Sequence, residues 1–221
     1  MSEQMESAVP TGEAKPKKQR AVLGGDASGD TYIGYLAAML FGAVLIGLLT
    51  MINIPMPGDL APLTGQSLGV LLVGAIFGAG RGVMSVLIYA VAGFAGMPWF
   101  MNGLNGFEPL NDLIDIVVFI GFGIVAAVVG AFARRGLAAN FVKALLLGVI
   151  GTAIIGVWTL LIVLVDQAPI GQALYEAILR QLPADAIRVV VFAIVIGLVA
   201  KFGPASQVEP ADQEQDEAVP A

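Results

Sequence analysis

Long apolar runs, separated by short polar or glycine- and proline-rich connections, make up most of this chain. Six runs occur, at about residues 33–52, 63–79, 83–94, 113–133, 142–165 and 185–202. A hydrocarbon core of about 30 Å is crossed by roughly 20 apolar helical residues. The pattern therefore predicts an all-α polytopic membrane protein built as a bundle of six transmembrane helices.

The second and third runs, 63–79 and 83–94, are short and rich in glycine. Short spans interrupted by glycine are typical of binding sites in transporters, but glycine also allows helices to pack closely. Both uses remain open for these two runs.

The basic residues lie at alternate ends of the predicted helices. With the N-terminus in the cytoplasm, nine of the 11 fall on the inner side: Lys15, Lys17, Lys18, Arg20, Arg81, Arg134, Arg135, Lys143 and Lys201. Such an excess marks the cytoplasmic side, so the asymmetry predicts that both termini are cytoplasmic. Arg180 and Arg188, on the outer side, are the exceptions that need a reason.

Composition supports a membrane protein and limits its domains. Hydrophobic residues make up 57% of the chain and charged residues 13%, with a mean hydropathy of +0.87. We expect a disordered cytoplasmic arm over 1–30, the six-helix bundle over 31–203, and a disordered acidic tail over 204–221. The tail's charge is typical of a solvated segment and gives no indication of a nucleic-acid partner.

The chain contains neither cysteine nor histidine. It thus lacks the commonest metal ligands and the commonest general base, so no catalytic residue, metal or cofactor is expected. It also has no P-loop motif for ATP. An alternative is a membrane-embedded lipid-modifying enzyme with Asp112 and Asp115 as metal ligands, although two acids also suit a helix start. A channel or structural subunit is a further alternative.

Asp185 and Arg188 are ionisable residues at the start of the sixth apolar run. Charged side chains at membrane depth are costly and point to a ligand site by default. Side chains three residues apart share one face of a helix, about 5 to 6 Å apart between Cβ atoms. The pair could thus bind a ligand that carries neighbouring donors and acceptors. The alternative is a surface ion pair with Arg188 extended toward the lipid headgroups.

Three connections carry further candidates. Pro55, Pro57 and Pro62 fix a non-helical path before Gln66, which must be buried in protein or line a cavity at membrane depth. Residues 93–107 combine aromatic and amide side chains suited to a small neutral ring, or to an interfacial belt: Trp99, Phe100, Asn102 and Asn105. Residues 169–182 have the spacing of an amphipathic surface helix, which either connects spans or covers a pocket.

Residues 63–100 closely resemble the BioY family, the biotin-binding S components of energy-coupling-factor vitamin transporters. The matching residues are Thr64, Gln66, Ser67, Leu68, Arg81, Gly82, Leu87, Tyr89, Gly96, Pro98 and Phe100. The segment 181–201 is similar to the family's last helix, with Asp185 on its Asp and Arg188 on its Lys. The resemblance spans roughly two thirds of the chain, from the first apolar run to Lys201.

The resemblance implies biotin uptake at the plasma membrane through an outward-facing pocket. The implied ligand residues are Asp185, Arg188, Asn102, Asn105, Trp99, Gln66 and Tyr89. The ureido ring of biotin suits the charged pair, and no basic residue is available for its carboxylate, for which Asn102, Asn105 and Gln66 are candidates. Ala184 and Arg188 stand where the family usually has glycine and lysine, and residues 101–108 replace a glycine-rich loop, so another vitamin remains an alternative.

The first run carries a stripe of small residues at every fourth position, Gly34, Ala38 and Gly42. Such a stripe lets another helix approach closely. The resemblance implies that it docks on the transmembrane subunit of the energising module, which also contains ATPase subunits. Packing within the chain is the alternative.

Overall fold

The computed structural model describes residues 32–100, 113–165 and 167–202, with the side chains of the second range described from Val117 onward. The predicted N-terminal arm and acidic tail lie outside this part of the chain, so their expected disorder stays a prediction. The described residues form one helical bundle.

Six helices occupy the six apolar runs. They are α1 (Tyr32–Thr50), α2 (Gly65–Phe77), α3 (Ala79–Phe94), α4 (Leu113–Phe132), α5 (Phe141–Val165) and α7 (Leu182–Phe202). The short α6 (Ile170–Leu174) continues into a π-helical turn, Tyr175–Leu179, where an amphipathic helix was predicted. The all-α prediction is confirmed. Helix α3 begins before the predicted apolar run. The apolar pattern did not include its first turn, because that turn contains Arg81.

Four of the described helical stretches are long and apolar enough to cross a bilayer, beginning at Tyr32, Val117, Phe141 and Ile170. Helices α2 and α3 have only 13 and 16 residues, which is about 20 and 24 Å at 1.5 Å per residue. Helix α2 is buried along nearly its whole length, including every residue from Gly69 to Ile76. A helix surrounded by protein does not have to match the thickness of the hydrocarbon.

Two glycines explain how the short helices fit. Gly78 has a φ of +83° and separates α2 from α3 by a single residue, a conformation that costs glycine little. At Gly65, a Cβ atom would overlap the backbone carbonyl of Leu49, so α1 and α2 approach there without an intervening side chain. Close helix packing, one of the two uses left open for glycine, thus occurs here.

Helices α1 to α4 pack on one another, and α5 packs between α4 and α7. The core contains large, fully buried side chains from several helices, among them Ile46, Leu71, Tyr89, Leu147 and Phe192. Helix α7 also contacts α2 and the β2 strand described next. These contacts bring the start of α7 close to the segment that precedes α2.

A two-stranded antiparallel ladder lies between α1 and α2. Strand β1 (Asn53–Ile54) pairs with β2 (Leu63–Thr64), with Asn53 opposite Thr64 and Ile54 opposite Leu63. The ladder closes residues 55–62 into a loop, hereafter the strap. The sequence predicted its non-helical path from its three prolines but did not predict the strands.

The two ends of the bundle differ in charge. One, hereafter the basic end, holds the α2–α3 turn, the α4–α5 connection and the end of α7, with Arg81, Arg134, Arg135, Lys143 and Lys201. The other, hereafter the strap end, holds the strap, α6 and the start of α7. The acids of the described residues, Asp59, Asp115, Glu176 and Asp185, all lie toward the strap end.

Candidate functional site

Asp185 and Arg188 form an ion pair in the first two turns of α7. Arg188 Nη1 donates to Asp185 Oδ1. The side chain of Arg188 is only 3% exposed and that of Asp185 21% exposed. The guanidinium therefore points into the bundle, and the alternative in which Arg188 extends to the lipid headgroups does not occur in this structure.

Arg188 retains one unused donor. Its Nε is buried and has no hydrogen-bond partner among the described residues. A buried donor without a partner costs roughly 1–3 kcal/mol, more when it is charged. A ligand acceptor, or a water molecule in the ligand's absence, would remove that cost.

Tyr89 is the centre of a second polar group at the same end. Its side chain is 0% exposed. Gln66 Nε2 donates to the phenolic oxygen at 3.1 Å, and the phenol donates to the backbone carbonyl of Trp99 at 3.1 Å. Thr50 Oγ1 lies 3.2 Å from the same oxygen. The Tyr89 hydroxyl thus holds Gln66 and Trp99 in position. All three were predicted ligand residues, and Tyr89 supports the other two.

Aromatic rings surround the ring of Tyr89. The Trp99 ring stacks on Tyr89, with centroids 6.4 Å apart and an interplanar angle of 6°. Phe100 meets Tyr89 edge to face at 5.9 Å, and Phe119 lies 6.1 Å away. A Cβ atom at Gly47 would be 2.9 Å from the Trp99 ring. The indole is therefore held between α1 and Tyr89, as an element of the protein rather than as a free interfacial residue.

The strap is attached to the segment before α7. Ala61 N donates to the carbonyl of Arg180 at 3.0 Å, and Arg180 Nε donates to the carbonyl of Asp59 at 2.8 Å. Tyr175 donates to Asp59 Oδ2 at 3.0 Å, and Arg180 Nη1 donates to Glu176 at 2.5 Å. The bonds to Asp59 join loops more than 110 residues apart in sequence.

The contacts of both basic residues at the strap end are now established. Arg180 binds the strap and Glu176, and Arg188 pairs with Asp185. Both arginines are exceptions to the charge pattern of the sequence, whereas no pattern predicted that Thr50, Asp59 and Tyr175 belong to the polar contacts at this end. The position of Asp59 between prolines of the strap was the one sequence feature that could have indicated its role. The α6 segment has a structural role as the anchor of the strap.

A cavity of about 480 Å³ lies between α5 and α7 and reaches Asp185. Its other walls are apolar except for Thr152, and include Val149 and Val157, which are more than half exposed. Arg188, Tyr89, Gln66 and Trp99 do not line it. This cavity opens to the outside of the bundle, so it is distinct from the interior that Arg188 enters.

The structure also locates the remaining candidates. Asn102 and Asn105 lie outside the described residues. On α1, Gly34 is exposed with nothing within 4 Å of a Cβ atom, and Ala38 is half-buried. Gly42 is buried against Ser85, with Val73 3.1 Å from a Cβ position. Gly42 thus makes an intramolecular contact, the alternative left open for the stripe, while Gly34 leaves room for a second helix.

Comparisons with known proteins agree with this architecture. The BioY family profile matches residues 26–205. A protein of Rhodobacter capsulatus, "Biotin transporter BioY", is 31% identical over 181 residues, which cover 76% of this chain and 93% of that protein. "Biotin transporter BioY2" of Lactococcus lactis is 32% identical over 81 residues, covering 37% of this chain and 43% of that protein.

A solved structure has the same fold. The crystal structure of "the S-component for biotin from an ECF-type ABC transporter" superposes with a TM-score of 0.65. The match covers 80% of this chain and 96% of that chain at 17% sequence identity. At this identity, the similarity establishes the arrangement of helices.

Proposed function

This chain belongs to the BioY family, and we propose that it is a substrate-capturing membrane subunit for biotin uptake. The observation that carries the proposal is the buried Asp185–Arg188 pair at the strap end, with one guanidinium donor unused. A purely structural ion pair would not explain why a buried donor is left without a partner. A ligand that supplies an acceptor to this donor would explain it.

The chemistry of a cyclic urea matches this pair. Its carbonyl oxygen accepts from Arg188 Nε, and a neighbouring N–H donates to Asp185. The acid and the base compensate each other's charge, so the site suits a neutral group with adjacent donor and acceptor. Hydrogen bonds to charged partners are roughly twice as strong as neutral ones, which favours tight capture.

The other predicted ligand residues complete the pocket in this proposal. Trp99 offers an apolar ring to the body of the ligand, and Tyr89 holds that ring and Gln66 in position. Asn102 and Asn105 follow Trp99 closely in sequence and are proposed, with Gln66, to bind the carboxylate. The strap covers the opening, because it runs from the α1–α2 side of the bundle to the segment before α7.

We further propose that the protein lies in the plasma membrane with the strap end outside and both termini in the cytoplasm. The basic end then lies on the cytoplasmic side, which agrees with the tendency of basic residues to lie on that side of a membrane. Since the chain has no P-loop, energy comes from an ECF transmembrane subunit and its ATPase subunits. Gly34 and Ala38 on α1 form the proposed contact with the transmembrane subunit.

Thermal stabilisation of the purified protein tests the ligand. Binding to the native state alone raises stability by about 2.7 kcal/mol at a ligand concentration 100 times the Kd. We expect a selective shift with biotin in a panel that includes thiamine and riboflavin. A shift with another vitamin would replace the substrate, and no shift with any of them would overturn the proposal.

Asp185→Asn and Arg188→Gln locate the site. Both should lose biotin binding, since each removes a charge-assisted hydrogen bond to the ureido group. Glu176→Gln is the matched control, because it alters another acid that pairs with an arginine in the same region. Undiminished affinity in Asp185→Asn would place the ligand elsewhere.

Ala38→Trp tests the docking contact separately. The indole should block assembly with the transmembrane subunit and abolish uptake, while biotin binding stays intact. Ala37→Trp, on the adjacent exposed position, is the control. Normal uptake in Ala38→Trp would refute this use of α1.

A further inference from the structure

A second groove lies at the basic end, between the start of α5 and the end of α7. Its volume is about 430 Å³. Apolar and polar groups share its wall: Asn140, Phe141, Ile194, Gly197, Leu198 and Lys201. It lies at the opposite end of the bundle from Asp185 and Arg188.

The groove opens on the outer surface of the bundle. Phe141, Ile194 and Leu198 are each roughly half exposed, and they belong to helices long and apolar enough to span a membrane. Gly197 forms the floor, where a Cβ atom would have only the Phe141 ring, at 4.0 Å, in contact range. The missing side chain leaves a furrow along α7 that a flexible hydrocarbon chain can occupy.

The charged side chains that the structure describes at this end of the bundle are all positive. Arg134, Arg135, Lys143 and Lys201 lie at this end, and none forms an ion pair within the part of the chain that the structure describes. Lys201 lines the groove, with its ammonium 5.3 Å from the centre of the Phe202 ring. A cation at the mouth of an apolar furrow is complementary to an anionic headgroup attached to an acyl chain.

Two other surface grooves provide a contrast. The groove formed by Val117, Trp158 and Leu161 is lined by apolar residues and tryptophan only. The one beside Asp185 carries an acid. Both lie toward the strap end and neither is lined by a cation. Of these three grooves, the one at the basic end is therefore the one that combines apolar walls with a positive charge.

We propose that the α5–α7 groove at the basic end is a binding site for one anionic phospholipid. The phosphate of the headgroup binds Lys201, the cation that lines the groove. One acyl chain lies along Gly197 between Ile194 and Leu198. If the basic end is cytoplasmic, the site faces the leaflet in which anionic lipids provide a negative surface potential.

Native mass spectrometry of the full chain in detergent, with added phosphatidylglycerol or phosphatidylcholine, tests the site. We expect one phosphatidylglycerol to bind in preference to phosphatidylcholine. Lys201→Gln should weaken that binding about fivefold, the factor for one basic residue near an anionic surface. Gly197→Leu should fill the furrow and abolish the binding of both lipids at this site.

Gly123→Leu is the matched control. Gly123 also lies on a membrane-spanning helix and has nothing within 4 Å of a Cβ atom, so the same side chain is added away from the groove. Equal binding of the two lipids by the wild-type protein would overturn the proposal, as would unchanged binding in Gly197→Leu. Loss of partner assembly in Lys201→Gln with unchanged lipid binding would identify a protein-docking surface instead.

The lipid site stands apart from the proposed ligand site. Biotin-dependent thermal stabilisation should persist in Gly197→Leu, because the two sites occupy opposite ends of the bundle. A protein that binds phosphatidylglycerol but not biotin would refute the proposed function and leave the lipid site intact.

Discussion

Removing Asp185 alone from the Asp185–Arg188 pair should destabilise the ligand-free protein at least as much as removing both charges. Arg188 is 3% exposed, so a guanidinium left without Asp185 has little access to bulk solvent. Asp185 is 21% exposed and can reach solvent when Arg188 is replaced. We therefore expect Asp185→Asn to be more harmful than Arg188→Gln, and the double variant to be no worse than Asp185→Asn.

The magnitudes follow from burial. Breaking a buried ion pair by removing one partner costs about 3–5 kcal/mol. The amide oxygen introduced by Asp185→Asn could still accept from Arg188, so we expect about 3 kcal/mol for this variant, a change of roughly 100-fold in the unfolding equilibrium. Arg188→Gln should cost about 1–2 kcal/mol. The coupling energy in the double variant should be about 1–3 kcal/mol.

Unfolding in mixed detergent micelles with increasing dodecyl sulfate, without biotin, measures these free energies. Glu176→Gln is the control: it breaks an ion pair with Arg180 whose side chains are about one-third exposed, and should cost less than about 1 kcal/mol. Additive costs in the double variant, or equal costs for Asp185→Asn and Glu176→Gln, would refute the assignment of a buried, coupled pair.

Three further variants test the rest of the strap end. Tyr89→Phe should cost about 2 kcal/mol by leaving Gln66 and the Trp99 carbonyl without a partner; an unchanged melting temperature would contradict the network. Arg180→Ala should loosen the strap, because it removes the side-chain bond to Asp59, and should accelerate dissociation of radiolabelled biotin in a chase experiment; an unaltered off-rate would show that this contact does not retain ligand. Gly65→Ala should cost about 1–3 kcal/mol through overlap with the Leu49 carbonyl; full stability in a thermal melt would count against that contact.

Sequence predicted the helices well because the bilayer imposes a simple rule. A helix that meets hydrocarbon must be apolar over its exposed length, and such a run is visible in one dimension. The predicted run 113–133 became α4, Leu113–Phe132, and 142–165 became α5, Phe141–Val165. Prediction was less complete at α3, whose first turn includes a buried arginine, and at β1 and β2, which are too short to leave a pattern.

The candidate site also has one part that the sequence predicted and one part that it did not. Asp185 and Arg188 are three residues apart on one helix, so their proximity follows from helical geometry alone. Gln66, Tyr89 and Trp99 were predicted individually, but nothing in their spacing indicated that one hydroxyl links them and also lies near Thr50. Their contacts depend on which faces α1, α2 and α3 turn toward each other.

The membrane class, the six helices, the asymmetry of charge and the local pairing on α7 can be predicted from the sequence, because each depends on hydrophobicity or on spacing within one helix. The folded chain was needed to show that Arg188 points inward, that Arg180 holds the strap, and that Gly42 packs inside the chain. Those outcomes depend on contacts between residues far apart in sequence. Such contacts are set by how the helices pack, which a linear pattern of apolar residues does not encode.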